Sequence, residues 1–365
     1  MPEVSIIVPM YAAKQYIVPC VSSLRRQGLS DMEILLVDDC SPDDTYNHAK
    51  ELFRGNETVR VLQTKKNGGP GFARNLGMEE AAGEYICFCD VDDIYVDGSI
   101  SEMLKVAKRL YADVYSSDAF YVTVAEAPLP EDLHELKEEN LLKLGCITAE
   151  DALSEGRIEL AGAMEERLEQ WLGHRYHWSV CGKLFRAAFL REEGVRFPAV
   201  SIGEDHLFML KALLRAKVYA NEVRAPYIAR TGSNVQSVSR NRKDPGIFIR
   251  SMRSILMAPD IIDDCLGGRF PAYRKRITEF HIRAIEECFA VQKYKEIGRE
   301  KLSRNKELKH LFYEFFGEKG DFVKKTLLDA YEARPAGLSL EDCTQYECLK
   351  ALKEATGEGL YSLLS

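Results

Sequence analysis

Three carboxylates fall within four positions in the stretch Cys87-Phe-Cys-Asp-Val-Asp-Asp-Ile94: Asp90, Asp92 and Asp93. They follow an apolar run, Tyr85-Ile-Cys-Phe-Cys89, that reads as a buried strand. Carboxylates crowded at a strand end repel one another and are costly unless a cation joins them. A divalent metal taking hard oxygen ligands is the simplest such cation. In open α/β sheets, ligands gather outside the carboxyl ends of strands. The stretch therefore points to a metal at a sheet edge, placed to bridge a substrate's phosphates. The alternative is a solvated acidic turn before the helix expected to begin near Ser99.

The elements that must position these acids alternate along the first hundred residues. Val4-Ser-Ile-Ile-Val8 is a β-branched run of the kind buried on both faces of a parallel sheet, and Pro9 stops it. A helical pattern runs to about Arg26, and Ile34-Leu-Leu-Val-Asp38 is a second strand ending in Asp38-Asp39-Cys40-Ser41-Pro42. Ser41, Pro42 and Asp43-Asp44 read as an N-cap, a first-turn proline and helix-dipole acids. Val59-Arg-Val-Leu62 is a third strand, Asn67-Gly-Gly-Pro-Gly71 a loop, and Phe72 to Ala82 a helix before the fourth strand, Tyr85–Cys89. Strands separated by helices imply a parallel sheet, hence an α/β fold. Its acidic strand ends and glycine loop share one edge, which suits a nucleotide. The loop is neither G-x-G-x-x-G nor a P-loop.

Composition narrows the classes. The chain has 365 residues, 46% hydrophobic and 29% charged, ordinary for a globular protein of one large or two smaller domains. A net charge of -8 argues against a nucleic-acid partner. The ten cysteines include no C-x-x-C pair, and Cys87 and Cys89 lie in an apolar run, as in a reducing compartment. No secretory leader or membrane-spanning run is evident, so a cytoplasmic location is expected.

The order and spacing of several motifs resemble family 2 glycosyltransferases, which have the GT-A fold. They are Val4-Ser-Ile-Ile-Val-Pro-Met-Tyr11, Val37-Asp-Asp-Cys-Ser41, Asn67-x-Gly69, Gly71-Phe-Ala-Arg-Asn-Leu-Gly77 and Gly83-Glu-Tyr-Ile-x-Phe-x-Asp-Val-Asp-Asp93. Cys40 departs from the Gly or Asn usual in the family, and Met10-Tyr11 from its Tyr-Asn. The resemblance implies that Asp39 accepts from the N3–H of a uracil, beside Tyr11 and Pro9. It places Arg74 near the diphosphate, Asp90 and Val91 at the nucleotide, and Asp92 on Mn²⁺ or Mg²⁺.

The resemblance continues through His177-Trp-Ser-Val-Cys-Gly-Lys-Leu-Phe-Arg186, where Trp178 could form an acceptor platform. Ser201-Ile-Gly-Glu-Asp-His-Leu-Phe208 matches the family's Glu-Asp element at a helix start. That implies Asp205 as general base for an acceptor hydroxyl, with Glu204 orienting the acceptor or the loop. Ala225-Pro-Tyr-Ile-Ala-Arg-Thr-Gly-Ser233 resembles a closing loop whose Arg230 and Ser233 could reach the diphosphate.

The expected organisation is a GT-A catalytic domain over residues 1–240 and an α-helical C-terminal domain over 241–365. The first comprises a nucleotide-binding half (1–118), a helical insertion (119–175, helices Glu131 to Leu144 and Thr148 to Leu172) and an acceptor half (176–240). C-terminal helices are expected at Phe248–Met257, Tyr273–Tyr294, Glu307–Phe316, Phe322–Ala333 and Leu340–Ala355. Their basic residues, Arg269, Arg274, Lys275, Arg276, Lys293 and Lys295, could meet anionic lipid in a peripheral membrane contact, and the helices could form a homo-oligomer. The expected activity is inverting transfer from a nucleoside-diphosphate sugar, UDP-linked, to a glycan or glycolipid hydroxyl in bacterial surface-polysaccharide synthesis. A related nucleotidyltransferase lacks support because Pro9-Met-Tyr-Ala-Ala13 is not a basic glycine loop. A non-catalytic nucleotide-sugar binder or scaffold is the remaining alternative.

Overall fold

The computed structural model describes residues 1–117, 121–123, 146–147, 158–173, 175–222, 224–230, 245–288 and 298–332. The chain divides into two compact units. The first is drawn from Met1–Ala199 and Phe208–Val235, the second from Val200–Leu207 and Gln236–Ser365.

The first unit is built on an eight-stranded sheet. Its strands are β1 (Val4–Met10), β2 (Met32–Asp38), β3 (Val59–Gln63), β4 (Tyr85–Phe88), β6 (Val114–Ser117), β9 (Ile158–Leu160), β10 (Lys183–Arg186) and β11 (Tyr219–Glu222). Their order is β3-β2-β1-β4-β10-β6-β11-β9. β3, β2, β1 and β4 pair in parallel, so all four end at one edge. β10 runs antiparallel between β4 and β6, and β9 runs antiparallel to β11. Every residue of β1, β2 and β4 is buried, as their largely apolar sequences require, with Ser5, Glu33 and Asp38 the polar exceptions.

Pro9 explains how the edge opens. Ile7 pairs with Phe88, and its carbonyl accepts from the Cys89 amide; two residues on, Pro9 has no N–H for β4. Toward β2 the ladder continues to Met10 and Asp38. β4 is therefore released at Cys89, and its continuation carries the acids Asp90, Asp92 and Asp93.

Helices α1 (Ile17–Arg25), α2 (Thr45–Leu52) and α3 (Pro70–Glu80) connect these strands, and α4 (Ser99–Leu110) follows. α3 lies close on β1: a Cβ at Gly77 would come within 2.4 Å of Ile7 Cγ2. That approach carries Arg74, one turn earlier, inward. A second, four-stranded sheet has the order β5-β12-β7-β8, from Ile94–Tyr95, Tyr227–Ala229, Tyr121–Thr123 and Cys146–Ile147. It sets Tyr227 in register with Tyr95.

The expected helix Thr148 to Leu172 is corrected. Ile158–Leu160 is a strand whose backbone groups pair with β11, and among the described residues of that span the helix covers Met164–Leu172. Pairing with an open sheet edge overrides the local helical pattern there. The expected helices Glu131 to Leu144 and Leu340–Ala355 lie outside the described residues.

The second unit is helical as far as it is described: Pro245–Leu266, Pro271–Cys288, Arg299–Ser303, Lys306–Phe316 and Gly320–Glu332. Its core joins Ile247, Phe248, Ile255, Ile285, Leu308, Phe312 and Leu327. The first helix runs through Pro259 rather than stopping near Met257. Ile262, Cys265 and Leu266 remain buried beyond the proline, and that burial offsets the lost backbone bond. Arg299–Ser303 was not expected from the sequence. Arg274 donates to both carboxylate oxygens of Asp263, at 2.6 and 2.9 Å, while Arg269 and Arg276 lie over the Phe270 and Tyr273 rings. Among the described residues, no helix is long and apolar enough to cross a membrane.

Candidate nucleotide site

Asp38 and Asp39 end β2 and do different work. Asp38 is fully buried and accepts from the Ser41 amide at 3.0 Å, the Ser41 hydroxyl, and Gln63 Nε2 at 3.0 Å. Ser41 is therefore not the expected N-cap. Its Oγ instead accepts from the Ala12 amide at 3.0 Å, tying the loop after β1 to the loop after β2. Between them Cys40 sits in the left-handed region, φ +54°. Gly or Asn, usual in the family at this position, adopts that conformation at lower cost than Cys.

Asp39 is buried against the glycine loop. It accepts from Thr64 Oγ1 at 2.9 Å, from the Gly68 amide at 3.1 Å and from the Gly69 amide at 2.6 Å. The Gly68 amide also lies 3.2 Å from Oδ1, so both carboxylate oxygens of Asp39 are engaged by the loop and by Thr64. Burial raises its pKa, and the donors partly oppose that shift. The loop Asn67-Gly-Gly-Pro-Gly71 thus owes its position to an acid on the neighbouring strand. Tyr11, just past β1, is 44% exposed, and Pro9 is buried.

Arg74 is only 3% exposed, so it is not a surface partner of Glu79 or Glu80. Those acids pair with Arg196 and Arg60. The Arg74 guanidinium bonds Asp90 Oδ1 at 2.7 Å and lies 5.3 Å from the centre of the Phe197 ring. The Asp90 side chain remains 40% exposed. A buried cation thus stands behind a carboxylate that faces solvent.

The acidic turn itself is held by β12. The Asp93 amide donates to the Asp90 carbonyl at 3.0 Å, closing the turn. Tyr227 Oη accepts from the Asp90 amide at 3.0 Å and donates to Asp93 Oδ2 at 2.8 Å. The Arg230 amide donates to Asp93 Oδ1 at 2.7 Å, while its guanidinium lies over the Tyr16 ring. Burial first, then the charges of Asp92 and Asp90, push the Asp93 pKa well up. Asp92 is half-buried and Val91 buried within this braced turn. Sequence reasoning missed Tyr227 as a brace: it lies 134 residues from Asp93, and no spacing rule links them.

Trp178 reaches the same edge. β10 pairs Leu184 with Cys87 and Arg186 with Tyr85, so the chain enters β10 where β4 ends. Trp178 is half-buried and stacks on His177 at 5.3 Å, and His177 Nδ1 accepts from the Ser179 amide. Glu204 and Asp205 form the first turn of the helix Glu204–Arg215 and belong to the second unit. Ser233 lies outside the described residues. Pro9, Tyr11, Asp39, Arg74, Asp90, Val91, Asp92, Trp178 and Arg230 all belong to the first unit. Among the described residues, no group of three His, Cys, Asp or Glu is arranged to hold a metal ion alone.

Comparison with known proteins gives these features a context. The profile described as "Glycosyl transferase family 2" matches residues 5–150. EpsJ of Bacillus subtilis (strain 168), named an uncharacterized glycosyltransferase, is 30% identical over 223 residues, 60% of this chain and 58% of EpsJ. The poly(ribitol-phosphate) β-N-acetylglucosaminyltransferase TarS of Staphylococcus aureus (strain Mu50 / ATCC 700699) is 29% identical over 270 residues, 72% of this chain and 41% of TarS. The chain thus spans about half the length of these two relatives. TuaG of Bacillus subtilis (strain 168), named for teichuronic acid biosynthesis, is 30% identical over 182 residues, 47% of this chain and 71% of TuaG. The crystal structure of S. aureus TarS 1–349 in complex with UDP-GlcNAc aligns with a TM-score of 0.59 at 20% identity, covering 98% of this chain and 93% of that one. That likeness is one of fold.

Proposed function

The chain belongs to glycosyl transferase family 2 and has its GT-A fold, and on that premise we propose that it is an inverting, metal-dependent glycosyltransferase using a UDP-sugar. One observation carries the reading. The ends of the adjacent parallel strands β2, β1 and β4 carry a buried acid, Asp39, an exposed aromatic, Tyr11, and the braced carboxylate turn Asp90–Asp93 backed by Arg74. The crystal structure of TarS in complex with UDP-GlcNAc supports the choice of donor.

In this reading Asp39 accepts from the N3–H of uracil while it holds the glycine loop. Tyr11 and Pro9 flank the base. Arg74 acts through Asp90, limiting the negative charge that meets the diphosphate. Asp92 is the metal ligand. The turn fits Mn²⁺ or Mg²⁺ because Asp90, Asp92 and Asp93 offer hard oxygen donors within four positions. Such an ion takes few protein ligands and completes its shell with phosphate oxygens and water. When bound, it would offset charge on the departing diphosphate.

Asp205 takes the proton of the acceptor hydroxyl. The acceptor oxygen bonds the anomeric carbon, the carbon–phosphate oxygen bond breaks, and its electron pair leaves with UDP. A single in-line displacement inverts the anomeric centre. Trp178 stacks on the acceptor sugar, Glu204 orients the acceptor, and Arg230 reaches the diphosphate. The acceptor is a glycan or glycolipid hydroxyl, as the TarS and TuaG names suggest for a surface polymer.

Asp205→Asn tests the chemistry. The variant is expected to bind UDP with Mn²⁺ normally and to lose transfer by about 10²–10⁴-fold. Full transfer by this variant would remove the base assignment.

A further inference from the structure

The turn that bears Glu204 and Asp205 groups with the C-terminal helices rather than with the sheet. Gly203, which precedes those acids, is at φ +76°. A Cβ there would lie 2.8 Å from His281 Cε1 and 3.2 Å from Ile285 Cγ1. The imidazole of His281 is therefore packed on the backbone just before the helix that begins at Glu204. His281 is 1% exposed and comes from the helix Pro271–Cys288. Its Nε2 is 3.3 Å from Ser254 Oγ on the helix Pro245–Leu266. Among the described residues its Nδ1 has no hydrogen-bond partner. The His206 ring, one residue after Asp205, meets His281 edge-on at 5.9 Å and the Phe280 ring at 5.2 Å. One ring thus touches the backbone before the acids and the side chain after them.

A buried imidazole with an unbonded nitrogen is a poor choice for filling a core, where an apolar side chain avoids that loss. Its planar edge does leave room for the left-handed glycine. We propose that His281 is a positioning residue: seated by Ser254, it fixes the Gly203–His206 backbone and so sets where the Asp205 carboxylate points. This gives the C-terminal helices a role in the reaction, and it rests on Asp205 being the base. Misplacing a reacting group by about 1 Å can cost on the order of 10²-fold in rate.

Two readouts on the full chain separate the ideas. Hydrogen exchange of a peptide covering residues 200–208 reports the backbone without any substrate. His281→Asn is expected to speed its exchange by about tenfold or more, and Ser254→Ala, which removes a single oxygen and leaves the ring in place, is expected to do so less. The second readout is UDP release from UDP-N-acetylglucosamine with Mn²⁺ and water as acceptor. There His281→Asn is expected to lower kcat by about 10- to 100-fold at unchanged donor KM. Unchanged exchange in both variants overturns the positioning role. Faster exchange with undiminished kcat overturns its link to turnover. Asp205→Asn run alongside identifies a failure of the base reading itself, since it would then keep its kcat whatever His281 does.

Discussion

The burial of His281 makes a quantitative prediction about acid stability. Burial lowers its pKa from 6.5 to about 3. The folded state therefore refuses a proton that the unfolded chain accepts. The sign follows from linkage: below the unfolded pKa, protons favour the unfolded state, so stability falls as pH drops from about 6.5 toward 3. At pH 5 the unfolded imidazole lies about 1.5 units below its own pKa, which weights the unfolded state by roughly thirtyfold, or about 2 kcal/mol. The buried carboxyls of Asp39 and Asp93 have raised values and oppose this trend. They remain in a variant lacking only this imidazole, so a difference between proteins isolates the term. Urea unfolding of the parent and of His281→Asn at pH 7.5 and pH 5 gives four free energies. The parent is expected to lose about 2 kcal/mol more than the variant between the two pH values. Equal losses would refute the argument, because they would mean that the imidazole takes up its proton in the folded state.

Further tests concern the nucleotide edge. Cys40→Gly relieves a left-handed side chain and should raise stability by about 1 kcal/mol, or roughly 2–4 °C in Tm by calorimetry; a lower Tm would contradict the strain argument. Tyr227→Phe removes the hydroxyl joining the Asp90 amide to Asp93 and should cost about 1–3 kcal/mol. The same variant should weaken Mn²⁺-dependent UDP binding in calorimetric titration. Unchanged affinity would show that the brace does not shape the site.

Much of the fold was legible because its signals are local. Largely apolar runs such as Val4–Val8, Ile34–Val37 and Tyr85–Cys89 read as strands buried on both faces, and the last two lead to Asp38, Asp39 and Asp90 on one edge. The rest depends on distant partners. Ile158–Leu160 is a strand because β11 has an open edge, which no residue near 158 reports. Ser41 looked like a cap from its neighbours, yet its hydroxyl is committed to Asp38 and Ala12. Tyr227, the brace of the acidic turn, lies in a short apolar strand that offers no sign of a buried hydroxyl bridge. The Glu204-Asp205 turn was legible as a helix start, while its attachment to His281 became visible only once the second unit had folded around it.

The central claim is a donor site built on the carboxylate turn after β4. The most direct test is a thermal-shift series with UDP, GDP, CDP, TDP and ADP, each with and without Mn²⁺, on the parent chain and on Asp92→Ala. A ligand bound only by the native state raises Tm by mass action, by about 2.7 kcal/mol of stabilisation at a hundredfold excess over Kd. The expected result is a rise with UDP that requires Mn²⁺ and disappears in Asp92→Ala. A UDP response independent of both Mn²⁺ and Asp92, or no response to any nucleotide, would contradict it.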